Sequence, residues 1–118
     1  MAIRLKRAYD APDRSDGYRI LVDGLWPRGV SKDDAEIDAW LKELAPSSSL
    51  RKWFDHDPEK WNEFKKRYFR ELDRKREVID QLVDRLAEGQ VTFVFGAKDT
   101  EHNNAVALKE YIQRRLRA

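Results

Sequence analysis

Val91-Thr92-Phe93-Val94-Phe95 is the segment that most restricts the fold. Five β-branched or aromatic residues in a row, set between Gly89 and Gly96, offer water no charged face, so as a strand they need cover on both sides. Tyr18 to Val22 has the same continuous character apart from Arg19. Ile3-Arg4-Leu5-Lys6-Arg7 alternates instead, with Ile3 and Leu5 on one face, which suits an outer, half-exposed strand. Most of the remainder reads as helix. Continuous apolar strands among helices are the pattern of a parallel sheet buried on both faces. The expected class is therefore α/β: a single compact domain over residues 1–118, with a small, largely parallel sheet flanked by helices.

The helical segments carry their own start and stop signals. Ser31 suits an N-cap, and Asp34 three positions on resembles a capping box. Ile37, Trp40, Leu41 and Leu44 then fall at helical spacing before Pro46, which predicts a helix from Ser31 to Pro46; Ala35, Ile37, Ala39 and Leu41 also alternate as a strand would. A short helix should carry Leu50, Trp53 and Phe54. Asp57-Pro58 marks a further start, with Asp as N-cap and Pro in the first helical position. Trp61, Phe64, Tyr68 and Leu72 form its stripe, which resumes at Ile79, Leu82, Val83 and Leu86 after an interruption at Lys75. One long helix or two satisfy this pattern; a break near Arg74–Glu77 is favoured, because a helix over 58–88 is long for a small domain. The last helix, from about Asn103 to Arg117, puts Ala105, Leu108, Ile112 and Leu116 inward.

Composition removes several functional classes. The chain of 118 residues has 24 Lys and Arg against 22 Asp and Glu, a net charge of +2, so it is no polycation. With no cysteine there is no disulfide, thiol nucleophile, thiolate zinc site or iron–sulfur cluster. Its two histidines lack metal-ligand spacing, so no metal and no cofactor is expected. Glycine-rich phosphate loops, dinucleotide fingerprints and the Gly-x-Ser-x-Gly elbow are absent. Apolar runs are only a few residues long, so the sequence predicts a soluble, cytoplasmic protein without a membrane partner.

Ligands of open α/β sheets bind outside the carboxyl ends of the strands. If the strands at 18–23 and 91–95 run parallel, the segments leaving them share one edge. The first, Asp23-Gly24-Leu25-Trp26-Pro27-Arg28-Gly29, joins a carboxylate, an aromatic plate and a guanidinium. The second, running from Gly96 through Lys98, Asp99 and His102 to Asn103 and Asn104, leads into a helix N-terminus, which favours anions. Together they suggest a site for a small phosphate- or carboxylate-bearing ligand. Arg28 and Lys98 would supply charge, Trp26 a stacking face, and Asp99 and Asn103 the helix start. Asp23 and His102 are the candidate catalytic proton carriers. Plainer roles compete: Asp99 or Thr100 as the helix N-cap, Trp26 as a packing plug beside Pro27, Arg28 as a loop tether, and His56 as part of a turn. Ser47 to Ser49 followed by Arg51 could bind an anion, but helix capping explains those serines more simply.

A nucleic-acid interface is the rival. Lys66, Arg70 and Arg74 fall four apart on one helical face, a row that suits phosphates. Glu59, Glu63 and Glu77 share that face, and Glu63–Arg67 and Glu71–Lys75 have the spacing of intrahelical ion pairs. A charge-mixed, solvated helix therefore accounts for the row as well. The aromatic residues leave a protein partner or a homodimer open.

Four blocks then carry a resemblance: Val22-Asp23-Gly24-Leu25-Trp26-Pro27-Arg28-Gly29; Trp40 to Ser47; Leu50-Arg51-Lys52-Trp53-Phe54 with His56-Asp57-Pro58; and Asp99-Thr100-Glu101-His102-Asn103-Asn104-Ala105. In this order, over almost the whole chain, they resemble the YeaO-like family (domain of unknown function 488). The resemblance implies an α/β single-domain protein and no particular reaction. It also implies arginine where this chain has Gly24, which would leave Arg28 as the main guanidinium of an anion site.

Overall fold

The computed structural model describes residues 3–117. Four strands, β1 (Ile3–Arg7), β2 (Tyr18–Leu21), β3 (Ala39–Trp40) and β4 (Val91–Phe95), form an all-parallel sheet in the order β1-β4-β2-β3. Ile3 stands opposite Val91 on one side of β4, and Tyr18 opposite Val91 on the other. Flanked by two strands, β4 is buried at every position, as its apolar run requires. β1 lies at the edge and leaves Arg4 exposed.

Five helices accompany the sheet: α1 (Lys32–Ala35), α2 (Ser48–Phe54), α3 (Trp61–Asp73), α4 (Arg76–Leu86) and α5 (Asn104–Arg117). The stripes of α2 to α5, including Leu50, Phe64, Tyr68, Ile79, Leu82 and Leu108, meet Ile20, Val22, Phe93 and Phe95 in the main core. The intervening strand residues turn the other way. Leu21 and Val94 join Ala8 in a smaller cluster packed by Trp26, Ile37 and Trp40. The four longer helices thus cover one face, and loop segments with the one-turn α1 cover the other.

The β1–β2 link crosses that second face with one 3-10 turn, Arg14–Asp16, capped by Asp13. Thr92 Oγ1 on β4 donates to the Asp16 carbonyl at 2.7 Å, pinning the link as it passes. Beneath it, the fully buried Asp16 carboxylate accepts Arg19 at 2.7 Å, Lys6 at 3.1 Å and Arg4 at 3.3 Å. Arg19 also donates from Nη2 and Nε to the Ala35 carbonyl, at 2.8 and 3.2 Å. Burial alone would raise the Asp16 pKa; the Asp13 amide, Lys6 and Arg19 outweigh it and hold the carboxyl below the usual aspartate range.

One expected helix is replaced. Ser31 does cap a helix, its Oγ accepting Asp34 N–H at 3.0 Å, but α1 stops at Ala35 where Glu36 turns left-handed at φ 47°. Ala39 and Trp40 then pair with Ile20 and Leu21 as β3, and Lys42–Leu44 forms a 3-10 turn. The apolar spacing is real but serves two faces: Ile37 and Trp40 pack in the smaller cluster, Leu41 and Leu44 in the main core. A single helical stripe could not reach both sides of a sheet.

The helix break appears where favoured, between Asp73 and Arg76, and Lys75 reaches from it to the Ala45 carbonyl at 3.1 Å. Arg67 pairs with Glu63 at 3.0 Å as its spacing suggests. Glu71 does not meet Lys75; it accepts Ser47 N–H at 2.8 Å and Ser47 Oγ–H at 2.6 Å. Leu116 is 38% exposed and not inward, since the last turn of α5 runs past the core.

Candidate functional site

β2 and β4 end side by side, and their exit loops are tied to each other. Asp23 Oδ2 accepts the Gly96 amide at 2.8 Å, and Asp23 Oδ1 accepts Asn104 Nδ2–H at 3.0 Å. Asn104 Nδ2 also donates to the Val22 carbonyl at 3.1 Å, so the first residue of α5 is fastened to the end of β2. Burial pushes the Asp23 carboxyl above the usual aspartate range, although the Gly96 amide, Asn104 and Arg51 pull it down. Asp23 and Asp16 are thus perturbed in opposite directions. Asp16 faces three cations, whereas Asp23 is held chiefly by neutral amides.

Above this junction lies a cleft of about 800 Å³, bounded by the two exit loops, α2 and the start of α5. It gathers Asp23, Arg28, Lys98, Asp99, His102 and Asn103, six of the seven residues singled out in the sequence. Trp26 is not among them. It packs in the smaller cluster, edge-on to Trp40 at 5.5 Å, and donates Nε1–H to the Val30 carbonyl at 2.7 Å. The plug beside Pro27 is the role its geometry gives it.

The second loop divides its capping between two residues. Asp99 Oδ1 accepts Glu101 N–H at 2.9 Å and His102 N–H at 3.0 Å, closing a turn ahead of the helix. Those two amides, with His102, keep its carboxyl below the usual range. Asn103 caps α5 itself, accepting Val106 N–H at 3.0 Å, while its Nδ2 donates to the Asp99 carbonyl at 2.8 Å. Asp99 Oδ2 stands 3.0 Å from His102 Nδ1, which fixes the imidazole edge-on to Trp61 with ring centroids 5.4 Å apart. An Asp–His pair of this kind orients the ring and leaves its Nε2 as the free nitrogen.

Arg51, His56 and Asn104 also line the cleft. Arg51 comes from α2, and His56 from the left-handed turn after it, where Asp55 and His56 take φ values of 47° and 54°. At Gly24 a Cβ would lie 3.7 Å from Arg51 Nη1. A guanidinium therefore stands beside the position where the family resemblance expects arginine, and Arg28 is not the only one at the cleft. Among the described residues, no ion pair engages Arg28, Arg51 or Lys98. Lys66 and Arg70 on α3, with Arg74 at its C-cap, are exposed and lie away from the cleft.

Architecture and cleft together define a parallel α/β domain with a cavity at the carboxyl edge of its sheet. The chain belongs to the YeaO-like DUF488 family. The family model matching residues 2–118 is described as the inactive DUF488-N3 subclade. The uncharacterized protein YeaO of Escherichia coli K12 is 40% identical over 113 residues, covering 96% of this chain and 98% of YeaO. The uncharacterized protein Rv3073c of Mycobacterium tuberculosis H37Rv is 35% identical over 113 residues, covering 96% of this chain and 95% of that protein. No solved structure matches the chain. Among the described residues, no helix is long and apolar enough to cross a membrane.

Proposed function

We propose that the cleft binds a small molecule bearing a phosphate or carboxylate group, held by Arg28, Arg51 and Lys98 beside the start of α5. The observation that carries this reading is an excess of positive charge. Arg28, Arg51 and Lys98 line one cleft without an ion-pair partner among the described residues, while its two carboxylates, Asp23 and Asp99, already accept amide donors and Asp99 is paired with His102. An entering anion gains charge-assisted hydrogen bonds from the free cations. Asn103 and Asn104 bring the first turn of α5 to the same cavity, and the dipole of a 14-residue helix adds to the attraction.

Binding without turnover is the form of this reading that we favour. The name of the matching family model, an inactive subclade, supports it. So does Asp23, whose two oxygens are both occupied by amide donors. His102, oriented by Asp99 and lining the cleft, is the group left free to hydrogen-bond the ligand.

The test is thermal unfolding against sugar phosphates, nucleotides, carboxylates and short DNA and RNA, each at low and high salt. A ligand selective for the folded state raises the midpoint by mass action. The reading predicts a salt-tolerant rise with one class of small anion, lost in Arg28→Ala and Arg51→Ala. A rise only with nucleic acid, vanishing with salt and lost when Lys66, Arg70 and Arg74 are replaced, would assign the function to α3 instead.

A further inference from the structure

We infer that the ligand of this cleft is an organic acid with an apolar, ring-sized body, seated on Phe54 and Phe64 beneath Leu25; this rests on the anion reading above. The cleft is not lined by charge alone. Phe54 and Phe64, stacked with ring centroids 4.4 Å apart at 29°, reach its lining as a floor, although as core residues they are only 6% and 2% exposed. An inorganic ion makes no use of such a floor. At about 800 Å³ the cavity also falls within the roughly 300–1,000 Å³ typical of small-molecule sites.

Leu25 supplies the second observation. It lines the mouth of the cleft and is 66% exposed, more than Tyr9 at 48% or Leu116 at 38%. Its loop is not loose. Trp40 Nε1–H is bonded to the Asp23 carbonyl at 2.8 Å, and Trp26 Nε1–H to that of Val30 at 2.7 Å, so the backbone on both sides is braced. A braced loop that holds leucine out at the cleft leaves apolar surface that an entering ring would cover.

Charge and floor are also close together. Arg51 and Phe54 are three residues apart on α2, which makes them neighbours on one helical face with Cβ atoms roughly 5–6 Å apart. Gly24 leaves the space beside Arg51 open; a Cβ there would meet Ala45 Cβ at 3.5 Å and Arg51 Nη1 at 3.7 Å.

Calorimetric titration of the full chain with methyl phosphate and phenyl phosphate, which share a headgroup, tests this. Phenyl phosphate is expected to bind at least about tenfold more tightly, the scale of burying one ring face. Leu25→Ser should cut that ratio severalfold and leave methyl phosphate affinity unchanged, and because Leu25 is exposed the variant keeps its fold. Equal affinities for the two esters would overturn the inference and leave the anion reading standing. Failure of both esters and of the matching carboxylates, acetate and benzoate, to bind would overturn the anion reading, and this inference with it.

Discussion

Asp23 and Gly96 lock the ends of β2 and β4 together: the carboxylate Oδ2 accepts the Gly96 amide at 2.8 Å, at the point where both strands release the loops that form the cleft. The contact leaves little room, since a Cβ on residue 96 would stand 3.3 Å from the same oxygen. It also places a carboxylate where burial disfavours its charge.

That disfavour gives Asp23 a measurable signature. Its pKa is raised in the folded state, so the folded chain holds its proton to higher pH than the unfolded chain does. Stability is therefore lost as pH rises from the unfolded value near 3.8 through the higher folded one. Asp23→Asn keeps an oxygen for the Gly96 amide and removes this dependence. Urea unfolding at pH 4, 5.5 and 7 should show the variant gaining on the parent as pH rises; a constant difference would contradict the assignment.

Asp16 should behave in the opposite sense. Its folded pKa is depressed, so its contribution is complete above the unfolded value of 3.8 and disappears as pH falls through the folded one. Asp16→Asn leaves Arg19, with a side chain only 4% exposed, without its charged partner. A cost of about 3–5 kcal/mol at pH 7 follows, and the deficit should shrink as pH falls below 3.8. Chemical denaturation across that range is the check.

Gly17 is fixed by backbone geometry. It sits at φ 65°, and a Cβ there would come within 2.3 Å of the Gln90 carbonyl oxygen. Gly17→Ala should cost at least about 1–3 kcal/mol from backbone strain, with the clash added to it. Gly29, at φ 75° with nothing within 4 Å of such a Cβ, should incur only the strain. Comparing the unfolding midpoints of the two alanine variants separates the terms.

Much of the fold was legible because its signals are local. The apolar run of β4 and the interruption at Lys75 each act within one element and appear in the structure, and Asp57-Pro58 opens a 3-10 turn, Pro58–Lys60, that leads directly into α3 at Trp61. The segment from Ser31 to Pro46 was not, because helical spacing is also satisfied when successive residues serve opposite faces of a sheet. Ile37 and Trp40 pack on one side, Leu41 and Leu44 on the other. The Asp16–Arg19 pair was equally hidden; an acid in a loop and an arginine among apolar residues announce nothing until the β1–β2 link is laid across β4. At the cleft, residues on the two exit loops could be found from the rule about strand ends. Arg51 stood out only beside Ser47 to Ser49, and His56 only as part of a turn; nothing in their own segment says that α2 packs against that edge.

The anion cleft is tested most directly at the Asp23–Gly96 junction itself. Amide NMR shifts of the full chain should be followed while phenyl phosphate is added at constant ionic strength. The account predicts saturable shifts at Gly24, Gly96, Lys98 and Asn104, abolished in Arg51→Ala. Shifts confined to Lys66, Arg70 and Arg74 on α3, or none at millimolar ester, would contradict it.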